Sequence, residues 1–248
     1  MSVLTAGEGH GLGPMVKGIV QRYTTADVPP PEALYLDRGC CGDQNLCRMF
    51  GAWPNLYYRL DIWHFMRRFA SVCTTDAHQL YGTFMSRLSM CIFKWSPDDV
   101  AALVEAKRSQ LQARAVPNPS NADVLGCLTR RELAQHCRRT TRGVEATTAL
   151  IDSLLTSLSG DSGRDSLGVP LLAEEKVWDL WDSQKRHVAC IQDPPGVVLY
   201  TEVRKMKKGT KTLPVFRCAR GSTSLESFHL HLARFIPGKC FTFSAFSL

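Results

Sequence analysis

From about Gly13 to Thr25 the apolar residues Met15, Val16, Ile19, Val20 and Tyr23 recur at three- and four-residue spacing, which predicts a first helix with one apolar face. The stiff run Val28-Pro-Pro-Pro-Glu32 breaks it. Ala33 to Leu36 is then a short apolar run that ends on Asp37 and breaks at Gly39, the signature of a buried strand delivering an acid at its tip. Leu56-Tyr-Tyr-Arg-Leu-Asp61 repeats the design as a second strand ending on an acid. Between the two, residues 40–51 read as a loop with a helical turn near Leu46.

Helical periodicity takes over after Asp61. Ile62 to Val72 reads as one helix, and Leu80, Phe84, Leu88, Cys91 and Ile92 form the face of the next. Ser96-Pro97-Asp98-Asp99 is a strong helix start, with a serine cap, proline in the first turn and acids at the positive end of the dipole. Residues 116–121 read as a Pro/Asn/Ser linker, and Thr129-Arg-Arg-Glu132 is a capping box opening another helix. Leu150, Ile151, Leu154, Leu155 and Leu158 mark a further helix, and Val177, Leu180, Trp181 and Val188 one more. Past Pro194-Pro195-Gly196 the pattern changes. Residues 197–201 and 213–218 read as strands of a hairpin turning at Lys207-Lys-Gly-Thr210. Gly221 to Glu226 opens a final helix. The pattern divides the chain into a glycine-rich, disordered tail (1–12), an α/β part (13–75), a helical insertion (76–195), a hairpin with a closing helix (196–238) and an apolar tail (239–248).

Composition narrows the classes. The chain of 248 residues is 44% hydrophobic and 21% charged, enough to bury a core. No stretch of eighteen apolar residues exists, so no membrane partner is expected. The start lacks the basic and apolar regions of a secretory signal, so the ten cysteines are expected as reduced thiols of an intracellular protein. The formal net charge is +7 and unevenly placed. Residues 200–220 carry Arg204, Lys205, Lys207, Lys208, Lys211, Arg217 and Arg220 against one acid, Glu202. Such a patch suits a phosphate backbone, whose counterions it would release, and Arg67 and Arg68 add to it. A solvated, lysine-rich hairpin gives the same pattern.

The candidate chemistry lies in three carboxylates at element boundaries: Asp37, Asp61 and Glu226. Acids from separate elements that converge on one point suit Mg²⁺ or Mn²⁺, which prefer oxygen ligands. Glu226 also completes a capping box in Thr223-Ser-Leu-Glu226, which competes with a metal role. His64 stands three residues after Asp61 and could contact a phosphate or a metal. Cys40, Cys41 and Cys47 do not match a common zinc spacing and show no companion pair, so a structural zinc is not expected from them.

Taken together, LYLDRGCC around Asp37, RLDIWHFMRRF around Asp61 and His64, and RGSTSLESFH around Glu226 resemble the catalytic core of DDE/D transposases of the Mutator, hAT and Kolobok-like group. The resemblance implies an incomplete RNase H-like core of α/β class, mainly helical, carrying a long α-helical insertion and a β-hairpin. It implies Asp37 and Glu226 as Mg²⁺ or Mn²⁺ ligands and catalytic acids, with Asp61 and His64 supporting the site. It also implies Arg67, Arg68, Arg204, Lys205, Lys207, Lys208, Lys211, Arg217 and Arg220 as DNA contacts, and a nuclear location. A homo-oligomer is compatible with it. The family's first catalytic Asp, upstream on its own strand, has no counterpart before Asp37, so the expected product is a transposon-derived, catalytically inactive, DNA-related fragment. The alternative is a non-enzymatic nuclear module that binds DNA or protein, in which the acids are turn and cap residues.

Overall fold

In the computed structural model, residues 11–37, 39–41, 48–114 and 116–221 are described. Among the described residues the architecture is mixed α/β, with helices dominating and three separate two-stranded sheets. Helix α1 (Gly13–Thr25) leads into β1 (Ala33–Leu36) and β2 (Tyr57–Leu60), which pair in parallel with Leu36 opposite Leu60. A parallel pair requires a long crossover, and the stretch between β1 and β2 provides it. On this pair α1 builds a small core: Val16, Phe50, Trp53 and Leu56 are buried, with Leu34 and Tyr58 packed against them. Tyr23 meets Trp53 edge-on at 5.2 Å.

Helix α2 (Ile62–Ala70) starts at Asp61, whose side chain accepts from the Trp63 and His64 amides. Its Phe65 and Phe69 enter the main core, together with Phe84, Leu88 and Ile92 of α3 (Tyr81–Ile92). That core continues without interruption through α7 (Val144–Leu158), with Ile151 and Leu155, and α8 (Glu174–Lys185), with Val177 and Trp181. Apolar contact thus runs across residue 75, where the pattern suggests that an insertion begins.

Between α3 and α7 the chain makes β3 (Phe93–Trp95), α4 (Pro97–Ala113), α5 (Asn121–Gly126), α6 (Arg130–His136) and β4 (Arg139–Thr141). Strands β3 and β4 pair antiparallel; each is too short to carry a legible alternation, and the sequence pattern does not anticipate them. Helix α5, which the pattern does not anticipate, begins at the last residue of the expected linker. Its cause is local, since Ser120 and Asp123 form a reciprocal capping box across a turn too short to show periodicity. The box expected at Thr129 and Glu132 is formed in full, and Ser96 caps α4 by accepting from the Asp99 amide.

The expected hairpin is present and longer than the pattern suggests. Strands β5 (Tyr200–Lys208) and β6 (Lys211–Cys218) pair antiparallel with a register shift between Glu202 and Arg204, and they absorb most of the basic run. Leu213 of β6 closes a third core cluster with Leu103 and Ala106 of α4 and with Cys137. Among the described residues no helix is long and apolar enough to cross a membrane. The closing helix expected from Gly221, and Glu226 with it, lies outside the described residues apart from Gly221 itself.

Candidate functional site

The parallel pairing decides where the first two acids stand. Leu36 and Leu60 are register partners, so the residues that follow them, Asp37 and Asp61, leave adjacent strands side by side. The Asp61 amide donates to the Leu36 carbonyl at 2.8 Å, which extends the ladder to the acid itself. Helix α2 then turns His64 back over both: its Nδ1 lies 3.2 Å from Asp37 Oδ1 and 3.5 Å from Asp61 Oδ1. The trio Asp37, Asp61 and His64 is therefore brought together.

The two acids have different environments. The Asp37 side chain is 49% exposed, whereas that of Asp61 is 2% exposed. Asp61 Oδ1 takes the Trp63 and His64 amides at 2.7 and 3.2 Å, an N-cap that satisfies two of the helix's orphan donors. The other oxygen is covered by Gly221, where an added Cβ would stand 2.8 Å from Asp61 Oδ2. Gly221 has φ +80°, a conformation that glycine adopts without strain. The chain reaches that point firmly. Arg220, whose side chain is 5% exposed, donates from Nε and Nη2 to the two Asp193 carboxylate oxygens at 2.7 and 2.8 Å, and Nη2 also donates to the Arg139 carbonyl. Its guanidinium lies over Phe93, and the Asp193 contacts hold its pKa above the usual range against the opposing effect of burial.

The basic residues divide. Lys208 Nζ sits 2.6 Å from Glu132 Oε1 and is 13% exposed, so it and Arg220 serve internal ion pairs. Arg68 is also engaged, donating to Gln184 Oε1 and to the Asp37 carbonyl at 2.8 and 3.0 Å. Arg204, Lys205, Lys207, Lys211 and Arg217 are exposed, as is Arg67, which lies over the Trp63 ring at 5.2 Å. By register, Lys205 and Lys207 share one face of the hairpin with Pro214 and Thr212.

Sequence reading missed a second cluster next to the acids. Gly39, with φ +76°, turns the chain after Asp37 so that Cys40 and Cys41 point toward the segment following α8. There the turn Gln184–Gln192 is pinned by the His187 amide donating to Gln184 O and the Ile191 amide to His187 O, and Val188 and Ile191 are buried in the main core. The Cys190 carbonyl accepts from the Leu60 amide at 3.0 Å, tying this turn to the edge of β2. Cys40 Sγ and Cys41 Sγ lie 3.3 and 3.1 Å from His187 Nδ1, and Cys41 Sγ lies 3.3 Å from Cys190 Sγ. Burial, together with the positive charge of Arg68 and Arg186, lowers the His187 pKa, which favours neutral imidazole. Hydrogen bonding between Cys40 and Cys190 lowers the first thiol's pKa and raises the second's. The only local sign in the sequence is His187-x-x-Cys190; its companion pair lies 146 residues away and is invisible without the fold.

Comparisons with protein-family models, with curated proteins and with solved structures find no match for this chain.

Proposed function

We propose that the protein is a DNA-binding derivative of a transposase-type strand transferase, with β1 and β2 as the central parallel pair of an RNase H-like core, and that it does not itself cut DNA. What carries the reading is the placement of Asp37 and Asp61 at the carboxyl ends of adjacent parallel strands, with His64 in contact with both. Ligand and catalytic groups in open α/β sheets gather at such ends. The resemblance of the segments around Asp37, Asp61 and Glu226 to DDE/D transposases points the same way, and it favours a nuclear setting.

The divalent-ion pair of an intact strand transferase does not fit the described residues. Asp37 offers one exposed carboxylate, while both oxygens of Asp61 are occupied or covered by the cap amides and Gly221. Two-metal chemistry needs several open oxygen ligands, so no step through Mg²⁺ or Mn²⁺ is assigned here. What remains is binding. Arg204, Lys205, Lys207, Lys211 and Arg217 are exposed cations, and no acid partner for them is present among the described residues. If each meets one phosphate, log K against log salt concentration falls with a slope of about −4 to −5.

The test is a titration of the full chain onto a labelled duplex between low and physiological salt, followed by incubation with Mg²⁺ and with Mn²⁺. The expected result is steeply salt-dependent binding and an uncut duplex. A binding constant indifferent to salt rejects the phosphate contacts of the hairpin cations, and no binding rejects DNA as the partner and favours a protein-interaction module. Metal-dependent cleavage rejects the inactive reading.

A further inference from the structure

We propose that Cys40, Cys41, His187 Nδ1 and Cys190 form a closed zinc site that locks the end of β1 to the turn after α8. The site is independent of any DNA role.

Four ligand atoms of the types zinc prefers lie within 4.8 Å of one another. The distances fit one ion at their centre. With Zn–S near 2.3 Å and Zn–N near 2.0–2.1 Å, a tetrahedron places sulfurs about 3.8 Å apart and sulfur and nitrogen about 3.6 Å apart. Here Cys40 and Cys41 Sγ are 3.8 Å apart, Cys41 and Cys190 Sγ 3.3 Å, the Cys40 and Cys41 sulfurs lie 3.3 and 3.1 Å from Nδ1, and no pair among the four exceeds 4.8 Å. Shifts of about an ångström or less, opening the short pairs and closing any wider one, reach the ideal tetrahedron. Soft thiolates and an imidazole select zinc over Mg²⁺ or Mn²⁺. Four protein ligands leave no open position, so the ion would be structural.

The surroundings supply what such a site needs. The His187–Cys190 pair comes from anchored backbone: Cys190 through its carbonyl on the Leu60 amide, and the turn through buried Val188 and Ile191. Arg68 makes a second bridge over the same gap, from the Asp37 carbonyl to Gln184 Oε1. Three thiolates and a neutral imidazole around Zn²⁺ carry a net charge of −1, which the Arg68 and Arg186 guanidiniums near His187 offset. Loading releases three thiol protons. Arg186 Nε is 3.4 Å from His187 Nε2. When Nδ1 gives its lone pair to the metal, the ring proton sits on Nε2, so exposed Arg186 turns aside and Nε2 is freed to donate to water or a carbonyl.

The experiment uses the full chain purified under reducing conditions. Its zinc content is measured, Co²⁺ is substituted, and cysteine alkylation is mapped with and without chelator. One zinc per chain is expected, with the absorption of a tetrahedral, sulfur-rich Co²⁺ complex. Cys40, Cys41 and Cys190 are expected to resist alkylation until chelator is added, while exposed Cys127 and Cys218 react throughout. His187→Cys is the companion variant: it keeps four ligands and should retain zinc while changing the Co²⁺ spectrum. His187→Ala should lose at least tenfold in affinity. A folded chain with substoichiometric zinc, no Co²⁺ band and three thiols that alkylate at the rate of Cys218 overturns the site. So does a Cys41–Cys190 disulfide in the reduced preparation.

Discussion

The strand-end region and the hairpin region both concentrate charged and reactive groups, but they are closed by different means. At the strand ends, Asp37, Cys40 and Cys41, then Asp61 and His64, then His187 and Cys190 converge from three distant stretches. At the hairpin, one acid does most of the holding. Glu132 accepts from Lys107 of α4 at 3.0 Å and from Lys208 of β5 at 2.6 Å, while closing its own capping box with the Thr129 amide. Each region also presses a left-handed glycine against a polar side chain: Gly221 on Asp61, and Gly209, with φ +57°, on Ser109 of α4. The Ser109 hydroxyl in turn accepts from the Thr210 amide at 2.9 Å and so docks the hairpin tip. The strand-end region is assembled around a point that a metal can fill, and the hairpin around a carboxylate that is already present. The first should therefore depend on an ion and on thiol chemistry, and the second on pH.

The largest separation between the two should come from metal removal. A closed zinc site contributes its binding energy to folding, and loss of only about 4 kcal/mol would lower Tm by about 10 °C in a chain of this size. Calorimetry with and without chelator measures this. An unchanged Tm would remove the distinction between the two regions. Next in size is Glu132→Gln, expected to cost about 2–3 kcal/mol by leaving Lys107 and Lys208 close together with no carboxylate. Burial pushes the Glu132 pKa up, but Lys208, the Thr129 amide and Lys107 outweigh it and hold the group down to about 2. A carboxylate depressed in the folded state adds stability that is complete above its unfolded pKa, near 4.5, and is lost as pH falls from there toward 2. Acid titration of the wild type should show this loss, and Glu132→Gln should flatten it. The smaller change is Asp61→Ala, which removes the cap from α2 and should cost about 1–2 kcal/mol by thermal unfolding. Asp61→Asn, which can still accept from the amides, should recover most of it.

The two regions were not equally legible in the sequence. The hairpin side was open to reading because its signals are local. Thr129-x-x-Glu132 is a capping box at fixed spacing, Ser96-Pro97 is a helix start, and Lys208-Gly209-Thr210 is a turn between strand-like runs. The strand-end side was legible only in its halves. Each acid could be seen to end a strand, but their adjacency follows from parallel pairing across a crossover, which no local pattern encodes. Cys40-Cys41 and His187-x-x-Cys190 were each unremarkable until the main core brought α8 onto α2. The basic run misled in part for the same reason. Charge is countable in sequence, but only packing shows that Lys208 and Arg220 are enclosed with Glu132 and Asp193.

The smallest effect on stability is expected at the outer face of the hairpin, and it is the one that tests function. Lys205 and Lys207 are exposed on β5 opposite Pro214 and Thr212, and no ion pair ties them to another described residue. The double change Lys205→Gln and Lys207→Gln should leave the unfolding free energy within about 0.5 kcal/mol, as for surface sites with no special contact. On DNA the same variant should bind more weakly on every sequence tested, and its salt slope should shrink by about 1 for each lost phosphate contact. Lys208→Gln should do the reverse, lowering stability through Glu132 while leaving the salt slope near that of the wild type. If Lys208→Gln instead reduces the slope by about 1, its ion pair opens to admit phosphate, and the division between structural and solvent-facing cations on this hairpin fails.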